Sequence, residues 1–112
     1  SQINRAFQNL ILNAVNSIEE SQVKKGMIEL KSYVDDNKYI VLILDNGLGL
    51  KYEKDQILKP YFTTRKKSGG TGLGLSIVEK ILFDHQADFE IINRSDGING
   101  AEVKIIFNLE KI

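Results

Sequence analysis

The chain has 112 residues, 42% of them hydrophobic and 27% charged, and its 15 Lys and Arg balance its 15 Asp and Glu to a formal net charge of zero. It has no Cys and one His, which excludes a disulfide framework, a thiolate zinc site, a Cys nucleophile and a His-paired metal centre. Zero net charge gives no global attraction to nucleic acid or anionic lipid, and the apolar runs, such as Ile40–Leu44, are too short to span a membrane as a helix.

The length predicts a single domain over 1–112, able to bury roughly two thirds of its unfolded surface without a staple. Ile3, Phe7, Leu10, Ile11, Ala14 and Ile18 recur at three- and four-residue steps, which predicts a helix over Ser1–Glu20. Glu19 and Glu20 oppose the macrodipole if the helix runs on, and Gly26 stops any continuation. Met27–Asp35 and Tyr39–Asp45 read as strands joined by turn residues Asp35-Asp-Asn-Lys38. In the first, Ile28, Leu30, Tyr33 and Val34 roughly alternate with polar residues. The continuous run Ile40–Leu44 predicts a strand buried on both faces.

Asn46–Gly70 is mostly connection, with one short helical candidate at Tyr52–Lys59. Connections this long inside a compact domain are usually lids or binding loops. Thr71–His85 is predicted helical, with Leu73, Ile77, Val78, Ile81 and Leu82 on one face. Ala87–Asn93 and Ala101–Leu109 alternate as strands around the turn Ser95–Gly100. Helix, two strands, loop, helix, two strands predicts an α+β fold, with helices packed on a sheet.

Three clusters could carry chemistry. Asn9 and Asn13 stand one turn apart on the first helix. They are either solvated or bonded to a neighbouring loop, or their amide oxygens ligate a hard cation such as Mg²⁺. Asp45-Asn-Gly-Leu-Gly49 follows the buried strand. It is either a tight turn, or a carboxylate that can read an amino group beside Gly47 and Gly49, which allow close backbone approach. Ser68-Gly-Gly-Thr-Gly-Leu-Gly-Leu75 runs into a helix. It is a flexible linker or an anion site made of backbone N–H groups at a helix N-terminus. It is neither a P-loop, lacking Gly-Lys-Ser/Thr, nor a dinucleotide fingerprint, since no strand leads into it.

In this order the three clusters resemble the N, G1 and G2 boxes of the ATP-binding catalytic domain of sensor histidine kinases, within the gyrase/Hsp90/MutL (GHKL) superfamily. Pro60-Tyr-Phe-Thr-Thr-Arg-Lys matches the kinases' F box. Residues Tyr61–His85 look most like the nitrogen-regulation NtrY/NtrB type. The resemblance covers essentially the whole chain. It implies a two-layer α/β sandwich with helices on one face of a mixed, mostly antiparallel sheet, and an ATP lid at about 47–71.

Carried over residue by residue, the resemblance makes Asn13 the Mg²⁺ ligand and Asn9 a second polar contact near the phosphates of ATP. Asp45 would bond the adenine amino group, with Gly47 and Gly49 beside the base. Gly70, Thr71, Gly72, Leu73 and Gly74 would shape the phosphate end of the lid. Phe62 would pin the lid and Thr64 would contact the nucleotide, while Arg65, Lys66 and Lys67 are either lid cations reaching the phosphates or a solvated basic loop. Two departures stand out: Asn16 occupies the position where many kinases carry Lys or His, and the phosphoacceptor His is absent from the chain. Asn9 stands where the hydrolytic branches carry Glu. An amide cannot accept the proton of an attacking water, which argues against an efficient ATPase of the Hsp90/MutL kind.

The implied activity is transfer of the γ-phosphoryl group to a His on a separate dimerisation domain, and onward to a response regulator. The only His, His85, is expected to be structural or on the surface. The chain is expected to be an excised cytoplasmic catalytic domain of a homodimeric parent anchored in the bacterial inner membrane. It is not expected to bind nucleic acid, or to autophosphorylate alone. A non-catalytic ADP/ATP-binding module is the further alternative. The zero net charge hides an asymmetry: residues 51–70 hold six basic and two acidic residues, a local excess suited to a nucleotide's phosphates.

Overall fold

A computed structural model describes residues 2–50 and 74–111. Helix α1 (Gln2–Ser21) leads to strands β1 (Ile28–Asp35) and β2 (Lys38–Asp45). Helix α2 (Gly74–Asp84) precedes β3 (Ala87–Asn93) and β4 (Ala101–Asn108). The four strands form one sheet in the order β1-β2-β4-β3, antiparallel at every pairing. Both helices pack on one face of it, which is the two-layer α+β sandwich expected from the order of elements.

α1 buries Ala6, Leu10 and Ala14, which join Ile43, Val78, Ile81, Leu82, Phe89, Val103 and Ile105 in the core. The helix ends one residue after Glu20. Ser21 Oγ donates to Ile18 O at 2.7 Å, and Gln22 turns left-handed at φ 59°, so the side chain and the αL residue close the last turn. The β1–β2 turn is two residues, Asp36 and Asn37, with Asp36 at φ 56°, a conformation Asp tolerates.

β2 is central, and Ile40 to Asp45 are buried or half-buried on both faces, as the apolar run requires. The alternation in β1 does not produce a buried face. Only Ile28 is even half-buried, and Leu30 and Val34 are exposed. β1 is an edge strand, and the two helices lie over β2 and β3 rather than over it. β4 ends at Asn108, one residue short of expectation, because Leu109–Lys111 turn into a 3₁₀ helix. Its start is tied to the β1–β2 hairpin by Leu109 N donating to Asn37 O at 2.7 Å.

His85 caps α2. Its backbone N donates to Ile81 O and Leu82 O, and its ring Nδ1 lies 2.8 Å from Ile81 O, so an Nδ1–H satisfies a C-terminal carbonyl. It is structural and at the surface, as anticipated. The helical candidate Tyr52–Lys59 and the expected helix start at Thr71 lie outside the described residues. Among the described residues no helix is long and apolar enough to cross a membrane.

Candidate functional site

The end of β2 is where the backbone leaves the sheet. The β2–β4 ladder stops at the Leu44–Glu102 pair, so Asp45 has no residue of β4 directly opposite. It is the one charged residue buried as a whole among the described residues. A buried carboxylate needs donors, and Asp45 Oδ1 has two: Gly47 N at 2.8 Å and Ala101 N at 3.3 Å. Among the described residues none donates to Oδ2. The carboxylate is therefore fixed by one oxygen and leaves acceptor capacity on the other.

Residues 45–50 are held from four directions. Asn46 bridges to the segment before β1, accepting from Met27 N at 2.8 Å and donating to Lys25 O at 2.9 Å. Leu48 N donates to Ser17 Oγ on α1 at 2.9 Å. Leu50 N donates to Asn93 Oδ1 at 2.6 Å, and Asn93 Nδ2 returns a bond to Leu50 O at 3.3 Å. Arg94 Nη1 donates to Asp45 O at 3.1 Å.

Gly47 is required by space. A Cβ there would collide with Ser17 Oγ and lie 2.6 Å from Ser17 C and 2.8 Å from Ile18 N, so the turn rests directly on the α1 backbone. Gly100 presses as closely from the other side, where a Cβ would strike Asp45 O, and its φ is 147°. Gly49 lies at φ 77°, a left-handed conformation that glycine adopts without steric cost.

The contact with Ser17 brings the first two sequence clusters together. Ser17 is four residues after Asn13, so both lie on one face of α1, a turn apart. Asn9, Asn13 and Asn16 follow that stripe and are each half-buried, with the Asn13 Nδ2 itself buried. Gly74 opens α2. Phe62, Thr64, Arg65, Lys66, Gly70, Thr71, Gly72 and Leu73 lie outside the described residues.

The donor set fits the groups the sequence implied. Asp45 Oδ2 is an acceptor beside a turn flush against a helix, suited to an exocyclic amino group. No cluster of three or more His, Asp and Glu occurs among the described residues, so a metal held here would take the amide oxygen of Asn13 together with ligand and water oxygens. Mg²⁺, which keeps several waters, suits such a sparse protein contribution. The described groove of about 440 Å³ beside Phe83 and Phe89 lies by the start of β3. In the register, that is the opposite end of the sheet from Asp45.

Against known proteins, residues 1–111 match the family described as histidine kinase-, DNA gyrase B- and HSP90-like ATPase. The chain belongs to this family of ATP-binding domains. A putative sensor protein of Shewanella frigidimarina is 37% identical over 109 residues, covering 96% of this chain and 16% of the relative. The nitrogen regulation protein NtrY of Azorhizobium caulinodans is 35% identical over 112 residues, covering 96% of the chain and 14% of the relative. The chain thus spans only about a sixth of these relatives. The nucleotide-free catalytic domain of the histidine kinase ThkA superposes with a TM-score of 0.71 at 34% identity, over 97% of this chain and 70% of that one. Fold and family together make this a histidine kinase-type catalytic domain.

Ser17, Asn93 and Arg94 lie outside the sequence clusters, and Asn46 and Gly100 stand within turns whose sequences assign them no role. Only Gly100, closing a turn rich in Asp, Asn and Gly, carried a local signal. The others are ordinary polar residues whose role depends on partners from 19 to 49 positions away.

Proposed function

We propose that the domain binds Mg-ATP at the end of β2 and presents the γ-phosphoryl group to a His on a separate dimerisation domain, from which it passes to a response regulator. The observation that carries the reading is Asp45: a buried carboxylate with one oxygen saturated by backbone N–H groups and the other without a described donor. It sits on a turn pressed against the asparagine-bearing face of α1. Asp45 Oδ2 accepts from the adenine amino group, an interaction that guanine, with a carbonyl at that ring position, cannot make. Asn13 holds Mg²⁺ by its amide oxygen, and Asn9 and Asn16 line the same stripe toward the phosphates. When bound, the metal neutralises charge on the phosphate oxygens.

Gly70, Thr71, Gly72, Leu73 and Gly74 form the phosphate end of the lid in this reading, with Phe62, Thr64, Arg65 and Lys66 closing over the nucleotide. In the transfer, the bond from the γ-phosphorus to the bridging oxygen breaks and one to an imidazole nitrogen forms. ADP leaves, and the imidazole proton goes to solvent. Asn9 cannot take a proton from water, so the residues favour a protein acceptor over hydrolysis. The kinase relatives support this reading, as does the local positive charge of residues 51–70. The parent protein is proposed to be a homodimer anchored in the membrane.

Calorimetric titration of ADP and ATP with Mg²⁺ tests the binding step. Binding of both is expected, with Asp45→Asn lowering ADP affinity about 10- to 100-fold, the scale of one hydrogen bond to a charged group. Absence of nucleotide binding by the wild-type chain would sink the reading, and steady release of phosphate would move the chain to the hydrolytic branch.

A further inference from the structure

Asn93 and Arg94 are consecutive, and they grip the two ends of the turn that carries Asp45. Asn93, the last residue of β3, pairs its side-chain amide with both the N–H and the C=O of Leu50, as a further strand residue would. Arg94 reaches the other end, and Nη1 donates to Asp45 O at 3.1 Å. With no residue of β4 opposite Asp45, the guanidinium stands in for a ladder partner.

Arg94 is itself fixed. Its Nε and Nη2 fork onto Asp96 at 3.2 and 2.6 Å, and its backbone N donates to Gly100 O at 3.1 Å. Asp96 in turn accepts from Ile98 N at 3.2 Å. The Arg94 side chain is only 8% exposed. A bidentate fork leaves a guanidinium little rotational freedom, so the third donor direction, toward Asp45 O, is set by the β3–β4 turn.

The arrangement bears on the carboxylate. Oδ1 is held by Gly47 N and Ala101 N, and the backbone carbonyl by Arg94. Together they fix both ends of the Asp45 residue, and with it the direction of Oδ2. From this we infer that Arg94, locked by Asp96, is a positioning residue that sets the aim of the Asp45 carboxylate and thereby the preference of the site for a purine bearing an exocyclic amino group. The inference rests on the proposed reading of Asp45. It adds a specificity determinant on the β3–β4 turn, outside the sequence clusters that identify the family.

The test compares ADP with purine riboside 5′-diphosphate, which lacks only the amino group, by calorimetry in the presence of Mg²⁺. The wild-type chain is expected to prefer ADP. If it binds both equally, the assignment of Asp45 fails, whatever Arg94 does. Given that preference, Arg94→Met keeps the length and loses the donors. It is expected to cut the ratio of the two affinities about tenfold, the equivalent of about 1.4 kcal/mol, and to leave purine riboside diphosphate affinity within about twofold. Asp96→Asn, at a half-exposed side chain, keeps the guanidinium but weakens its fork. It is expected to lower the ratio about threefold, so the inference stays testable if Arg94→Met does not fold. Arg94→Lys should recover part of the ratio. Equal weakening of both ligands, with the ratio unchanged in Arg94→Met and Asp96→Asn, would overturn the inference, because a merely structural contact moves both affinities together.

Discussion

Gly47→Ala puts the packing of the site to a direct test. A Cβ at position 47 meets backbone: it would lie 2.6 Å from Ser17 C and 2.8 Å from Ile18 N, near the C-terminal end of the 20-residue helix α1. Neither atom can swing aside as a side-chain tip could. The turn must lift, which stretches Leu48 N to Ser17 Oγ and Gly47 N to Asp45 Oδ1, now 2.9 and 2.8 Å. Losing the first costs about 0.5–1.5 kcal/mol and weakening the second, a bond to a charged group, up to about 1.5–3 kcal/mol. Relaxation returns part of this, leaving a loss of about 2–4 kcal/mol, or about 8–20 °C in Tm for a domain of this size. Gly97→Ala is the control. Gly97 is left-handed, at φ 85°, but nothing lies within 4 Å of its Cβ direction, so only the conformational cost of about 1–2 kcal/mol applies. Thermal melts followed by circular dichroism, with ADP titration of each variant, separate the two. If Gly47→Ala melts no lower than Gly97→Ala and keeps wild-type ADP affinity, the close seating of the turn on α1 is wrong.

Two further outcomes concern the frame. Ile105 is fully buried at the centre of the sheet, so Ile105→Ala should cost about 2–5 kcal/mol in urea denaturation. Lys80→Ala, removing an exposed pair with Asp84, should stay within about 0.5 kcal/mol. The hydrogen bond from Arg94 holds the Asp96 carboxyl below its ordinary value of 3.8. A depressed carboxyl adds stability above the unfolded value and loses it as pH falls through the folded one. The stability difference between wild type and Asp96→Asn should therefore be constant from pH 5 to 8 and shrink below about pH 4, as read by urea titrations at pH 7 and pH 3. A difference undiminished at pH 3 and below would contradict the ion pair.

The frame was legible because its signals are local. The apolar spacing of α1, the run Ile40–Leu44 and the alternation of β3 and β4 each depend on a few neighbouring residues, and each element falls within a residue or two of expectation where it is described. β1 shows the limit of that reasoning. Leu30 and Val34 carry the pattern of a buried face, yet whether a helix covers that face depends on where α1 crosses the sheet, which the strand's own residues do not encode. The same holds at the site. Asp45, Gly47 and Gly49 are recognisable as a motif, whereas Ser17, Asn93 and Arg94 act through bonds spanning 31, 43 and 49 positions.

Those long-range bonds change what ligand binding must accomplish. In the turn, Gly47 N, Leu48 N and Leu50 N are bonded to side chains of Asp45, Ser17 and Asn93, and Asp45 O is bonded to Arg94. Fixing a residue's backbone costs about 1–2 kcal/mol, so a four-residue turn ordered only by ligand would subtract about 4–8 kcal/mol from affinity. Here folding has already met that cost, since each restraint comes from β2, α1, β3 or the β3–β4 turn and none from a ligand. Under the proposed reading, a purine arriving at Asp45 would meet an acceptor already held in place, and its bond to Oδ2 would contribute to affinity nearly undiminished by ordering of the turn. On that reading the base end is built for selection, and a lost restraint such as the one from Arg94 should register first as lost discrimination between purines, before any loss of the fold.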